Sequence, residues 1–388
     1  MAGFAGSKSS LSPLTAFGEI LSAEPTLKVD LQFPYNINTD LVTTTVAGTG
    51  SVAQLLGNAV VSSGGTAGSS ASLSSKRVLK YNPGQGASIR FTSIFTTGIA
   101  GTTQISGFGD TMDGLFFGFN GATFSILRRA AGVDNWIAQS AWNKDKFNGS
   151  GESTVTLDPT KGNVFQIQYQ WLGYGALEFY IENPSTGDFV LVHRISYANA
   201  NVVPSIQNPS LSLFVFASNG AVASTVAVSV GSMAGLVEGR ESDLATIHST
   251  RNSKTLTTEQ SIFTIRVDTA FAGVSNRVRI TPAILTVASD APTNFSTFRI
   301  VLNATLGGTP SYTAIAANRS VVSVDVAGTT VTGGDEIQAV QVFRGGGQIL
   351  YLDDLDLSLN PGDILTVSGQ QAGAAAVLAA SLNWKERF

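Results

Sequence analysis

The chain contains no cysteine. That absence excludes a disulfide scaffold, thiol catalysis and thiolate zinc sites. Histidine is almost absent: His193 and His248 are the only two in 388 residues. Charge is scarce too, with Asp, Glu, Lys and Arg at 13% of the chain, about half the usual share. The 23 basic and 27 acidic residues leave a net charge of −4. Such a balance gives no electrostatic pull toward nucleic acid or an anionic membrane, so neither is an expected partner. The longest apolar run, Ala374 to Ala380, is too short to span a bilayer. The opening MAGFAGSKSSLSPLTAFG lacks the apolar centre of an export signal, so synthesis without a cleaved leader is expected.

What is present is apolar and β-patterned. Hydrophobic residues make up 43% of the chain, too many for a disordered polymer. Residues 1–24 read as an N-terminal arm, polar from Ser7 to Ser12 and broken by Pro13. Alternation with period two starts at Leu27, Val29, Leu31 and Phe33. It recurs at Phe165, Ile167, Tyr169 and Trp171, with Gln166, Gln168 and Gln170 on the other face. Asn120-Gly121 between two β-rich runs predicts a type I′ hairpin. The Ser/Gly/Ala-rich stretch 62–75 reads as a loop or a weak edge strand. Charges crowd between Glu238 and Lys254, where no strand pattern is visible, so 235–258 reads as a connector. Alternation restarts after it, in short strands spaced as in a β-sandwich. The expectation is an all-β chain of two tandem antiparallel β-sandwich, jelly-roll-like domains. Residues 25–234 form the first and 259–388 the second.

Few constellations could carry chemistry. Asp110 and Asp113 flank a turn; they read either as a calcium or sugar-gripping pair or as turn caps, the turn-cap reading being favoured. Trp136 and Trp142 lie in a polar segment and could stack on sugar rings, the core or interface anchor being the favoured reading. Asp353, Asp354 and Asp356 read as charges guarding an edge strand. His193 reads as a packed strand residue. No nucleophile elbow, dinucleotide fingerprint or phosphate loop is present, so no catalytic residue, no cofactor and no enzymatic activity are expected. Whether the chain holds a metal is left open.

Several segments are familiar as a set. Ala16-Phe17-Gly18-Glu19, Phe33-Pro34-Tyr35-Asn36 and Tyr81-Asn82-Pro83-Gly84-Gln85-Gly86 come first. Asp113-Gly114-Leu115-Phe116-Phe117-Gly118-Phe119-Asn120-Gly121 and Phe124-Ser125-Ile126-Leu127-Arg128-Arg129 follow. Over residues 16–240 the chain resembles virion structural proteins of tailed phages and large DNA viruses that carry a lectin-like β-sandwich. The resemblance implies a particle component, whether capsid, spike or fibre, assembled in the host cytoplasm. Its partners would be other copies of itself, with a trimer as first expectation, and other virion proteins. The alternative is a carbohydrate-binding adhesin for a host surface glycan, with Asp110, Asp113, Trp136 and Trp142 as the contacts. A sandwich hydrolase acting on polysaccharide is the third reading, and it needs a close carboxylate pair.

Overall fold

The computed structural model describes residues 25–81, 83–170, 172–239, 245–355 and 357–388. The arm expected over 1–24 lies outside them, as do Trp171 and Asp356. The chain divides between Ser242 and Asp243 into two compact units. Both are antiparallel β-sandwiches, and the described residues contain only two short 3-10 turns as helix.

The first unit packs a nine-stranded sheet on a seven-stranded one. The larger sheet runs Phe189–Ile195, Leu177–Glu182, Asn163–Tyr169, Ala87–Phe95, Ala227–Val230, Asn58–Ser62 and Ser51–Leu55. Ser232–Val237 also pairs with Ala87–Phe95, and Thr26–Gln32 pairs with Ser232–Val237. The smaller sheet runs Val133–Ala138, Thr123–Ala130, Gly114–Asn120, Thr103–Gly109, Leu211–Ser218, Ser70–Leu79 and Val42–Ala47. Strand alternation puts one side chain in two between the sheets. There Phe117 lies 4.8 Å from Phe165 and Phe108 lies 4.9 Å from Tyr169, ring centre to ring centre. Burying such rings is what holds the layers together, at roughly 25 cal/mol per Å² of apolar surface.

The predicted hairpin is present, with a shifted turn. Asn120 pairs with Thr123, so the loop is Gly121-Ala122. The only positive φ falls on Gly121, at 61°. A lone positive φ at the first central position is the II′ pattern rather than I′. The small-residue stretch is also clearer than its composition. Ser70–Leu79 is an inner strand, flanked by Leu211–Ser218 and Val42–Ala47, with Ala71 and Leu73 in the core.

The second unit packs two sheets of four and six strands. The four-stranded sheet runs Thr246–Leu256, Ala376–Arg387, Arg279–Ser289 and Gly347–Tyr351. The six-stranded sheet runs Thr313–Ala314, Val322–Asp325, Gln260–Val267, Ile364–Gln371, Phe295–Leu302 and Asp335–Phe343. Ile265, Phe298, Val367, Leu382 and Trp384 belong to its core.

Most of the described part of 235–258 is strand rather than connector, and the division between the units falls within the segment. Its first residues finish the strand Ser232–Val237 in the first unit. Thr246–Leu256 is an 11-residue strand of the second unit, paired along Ala376–Arg387. Its inward positions are polar, which hid the alternation. Asn252 Nδ2 donates to the Ile262 carbonyl and Lys254 Nζ to the Gly328 carbonyl, both at 2.7 Å. Asp353–Leu355 is a 3-10 turn rather than an edge strand, and Asp353 accepts from Lys385 Nζ at 3.1 Å.

Candidate functional site

One end of the first sandwich gathers four loops, and carboxylates build the cluster. Asp110 Oδ1 accepts the N–H groups of Met112 at 2.7 Å and Asp113 at 2.9 Å, closing its own turn. The Asp113 carboxylate is buried. Its Oδ1 accepts from the N–H of Gln207 at 3.0 Å and of Ala131 at 3.3 Å, and its Oδ2 from the N–H of Asn208 at 3.3 Å. One side chain therefore pins three chain segments, 94 residues apart at the widest of the Oδ1 bonds. Oxygens facing backbone N–H donors are arranged for capping, not for a cation. Among the described residues, no group of three or more His, Asp or Glu gathers as a metal site.

Arg129 and Arg128 extend the frame. Arg129 makes a two-pronged contact with Asp134, at 2.6 and 3.1 Å, and donates to the Asp110 carbonyl at 2.9 Å. Arg128 donates to the Ser205 carbonyl at 2.7 Å and lies 5.4 Å from the centre of the Tyr197 ring. The loop 172–176 joins through two bonds. Ser205 N–H donates to the Gly173 carbonyl at 2.8 Å, and Tyr174 OH to the Val202 carbonyl at 3.1 Å. This frame presents apolar side chains to solvent: Met112, Leu172, Tyr174, Val202 and Val203, with Val202 at 93% exposure. Leu172 is held at a positive φ of 31°. Loops pinned by buried polar bonds while showing apolar side chains are the usual makings of a contact surface.

The four residues read from sequence as glycan contacts are not one site. Trp142 is buried in the aromatic core, 6.1 Å from Phe117, with its indole N–H donated to the Ile137 carbonyl at 3.3 Å. It has no face left for a sugar. The core-anchor reading of Trp142 holds and the sugar contact does not, because the 3-10 turn Gln139–Ala141 swings the indole inward out of its polar segment. Trp136 is half-buried on the outward face of the seven-stranded sheet. It lies in a cross-strand row with Leu127, Phe116, Gly107 and Phe214. The next row carries Phe216, whose ring stacks on Phe214 at 6.4 Å and 13°.

A second polar assembly lies on the outward face of the nine-stranded sheet. The glutamine alternation signalled it; its charged members did not stand out. Arg90 Nε donates to Gln166 Oε1 at 2.8 Å, and Gln168 Nε2 to Glu238 Oε1 at 2.7 Å. Glu178 accepts from Arg194 Nε at 2.6 Å and from the Tyr180 hydroxyl. Burial, the bond to Glu178 and the charges of Glu178 and Glu238 push the Tyr180 phenol well above its ordinary pKa. Tyr180 therefore stays protonated and donating.

His193 is a packed residue. A register shift opposite Phe179/Tyr180 puts Val192 in a bulge, so His193 shares a face with Ile195 but not with Leu191. Its Nδ1 accepts the Asn143 N–H at 3.2 Å, and burial holds the imidazole below its ordinary pKa. The Asn143 amide exchanges two bonds with the Arg194 backbone, at 2.8 and 3.0 Å, and covers this sheet edge.

No family model and no curated protein matches the chain. Solved structures similar to it include a cellulose-induced protein, Cip1, at 14% identity and TM-score 0.36, covering 54% of this chain and 96% of that one. The carbohydrate recognition domain of Emp47p is similar at 14% identity and TM-score 0.36, covering 55% and 97%. A glycosyl hydrolase family protein from Mycobacterium fortuitum is similar at 13% identity and TM-score 0.38, covering 54% and 99%.

Proposed function

We propose that this chain is a non-catalytic structural component of a virus particle, acting through contacts between subunits. The observation that carries the reading is the loop cluster pinned by Asp113, a rigid frame that leaves Leu172, Val202 and Val203 in water. Exposed apolar side chains on a fixed frame gain by being covered with protein. The resemblance of its sequence segments to virion proteins supplies the kind of particle. The carboxylates of the cluster are committed to backbone N–H groups or to Arg129, which leaves that cluster without a free acid–base pair. The test is self-association of the purified full chain by sedimentation velocity, with a V202D/V203D variant. Concentration-dependent assembly, weakened at least tenfold in the variant, is the expected result. A chain that stays monomeric at every concentration overturns the reading.

The adhesin reading rests on a different observation, the half-buried outward rings of Trp136 and Phe216, packed on the buried Phe214. Aromatic faces on a sheet surface can carry sugar rings. Binding on a glycan array that is lost in Trp136→Ala supports it. An array without binding, with and without calcium, removes it for the sugars tested.

A further inference from the structure

The two larger sheets of the second unit end in four edge strands, and one of these is unguarded. An open edge offers unpaired N–H and C=O groups to any extended chain, so proteins blunt it with charge, shortness or cover. Thr246–Leu256 carries His248, Arg251 and Lys254. Thr313–Ala314 is 2 residues long. Asp335–Phe343 opens on two acids, and Gln348 Nε2 donates to its Gln341 carbonyl at 3.2 Å. Gly347–Tyr351, sequence GQILY, has no charge, no proline and no register shift.

The bonding phase of this strand is fixed by its flanks. Ser289 N–H donates to the Gly346 carbonyl at 3.0 Å, and Leu352 N–H to the Ala283 carbonyl at 2.8 Å. Bonded and non-bonded pairs alternate along an antiparallel ladder. Gln348 and Leu350 therefore bond inward to Arg279–Ser289. The N–H and C=O groups of Gly347, Ile349 and Tyr351 point away from the sheet, and the side chains of Ile349 and Tyr351 are 62% and 66% exposed.

We propose that this edge pairs antiparallel with the same strand of a second copy, about a two-fold axis at Ile349, joining two four-stranded sheets into one. The inference rests on the subunit-contact reading above and adds a second contact surface, in the second unit, to the loop cluster of the first. The strand is self-complementary in that register. Ile349 meets its own counterpart, and Tyr351 lies opposite Gly347 of the second copy. An aromatic ring opposite a strand glycine covers backbone that the glycine leaves bare. Each of the three outward residues finds a bonded pair, and no like charges meet. The adjoining sheet face is small and uncharged at Thr286, Ala288, Ala379 and Ser381, so it can continue across the axis without repulsion. Such an isologous contact closes on itself and leaves no new edge there.

The test uses the full chain in three forms: wild type, Ile349→Lys and Tyr351→Lys. Both replaced side chains are solvent-exposed, and a melting curve checks that each variant is folded. Sedimentation velocity reads association, and hydrogen exchange reads the amides of Gly347, Ile349 and Tyr351 in the wild type. The expected result is slowing of those amides with rising concentration, and dissociation constants at least tenfold weaker in both variants. Wild-type association without slowed amides, or with both variants unaffected, overturns this inference and leaves the subunit-contact reading standing. A wild type that never associates overturns both.

Discussion

Trp384 and Glu386 are joined by a 2.8 Å hydrogen bond, indole Nε1 to Oε1, on the buried face of one strand. The carboxylate also accepts from Ser320 Oγ at 2.6 Å and from the Val321 N–H at 3.0 Å. A buried acid survives only when its lone pairs are matched, and here the matching ties the turn at 320–321 to the last strand. Removing the acceptor leaves three buried donors without their carboxylate. Glu386→Ala is expected to cost about 3 kcal/mol in denaturant unfolding. Glu386→Gln keeps one acceptor oxygen and is expected to cost clearly less. Equal losses for the two would show that lost volume, not lost acceptance, sets the effect.

His193 gives the first unit a pH dependence of definite sign. Burial lowers its pKa in the folded state, and the neutral Nδ1 is the acceptor for Asn143. The unfolded chain titrates near the ordinary value of about 6.5. Between that value and the lower folded one, the unfolded state binds more protons, so stability falls as pH drops. Above about 6.5 the contribution is constant. Urea midpoints measured from pH 7.5 to 5 should decline, and His193→Gln should flatten the decline. An unchanged slope in that variant would assign the effect to other groups.

Much of this architecture was legible where burial follows period two. Phe165, Ile167 and Tyr169 face the core as their spacing demands, and the 114–130 hairpin sits where Asn120-Gly121 announced it. The strand 246–256 was illegible because its inward residues are Asn252 and Lys254, satisfied by carbonyls that only the fold supplies. The site was less legible still. Asp113 showed itself as a turn acid, but its partners at Gln207 and Asn208 lie about a hundred residues away in sequence and bond through backbone N–H groups, which leave no trace in residue type. Trp142 is the core anchor its size favours, and its polar neighbours, which made a sugar contact conceivable, do not set where the indole goes; the turn before it does.

Asp113 should therefore behave as a loop organiser. Asp113→Ala strands the N–H groups of Ala131, Gln207 and Asn208, at an expected cost of about 2–3 kcal/mol. Amide exchange should quicken at 131 and 207–208 before it quickens in the sheets. Calcium should not raise the melting temperature of the wild type, since the Asp113 oxygens accept from the backbone. Unaltered exchange at 207–208 would show that the loops are held by other contacts.

Gly109 and Gly114 give the outward aromatic row its floor. A Cβ on Gly114 would sit 2.3 Å from Cζ of Phe116, and one on Gly109 would sit 2.5 Å from the same atom. The ring lies flat across both glycines because no side chain stands there. It cannot lift away freely, since the Arg129 guanidinium covers it at 5.7 Å and Phe214 flanks it at 5.9 Å. Gly114→Ala forces the ring or the strand to shift, and overpacking of this kind costs about 1–3 kcal/mol. Phe116→Ala alone leaves a void and is expected to cost about 3 kcal/mol or more. In the double variant the new methyl enters the space the ring has left, so the combined loss should be smaller than the two single losses added. A double-mutant cycle by urea unfolding measures that difference directly. Strict additivity would mean that ring and glycine do not share this space.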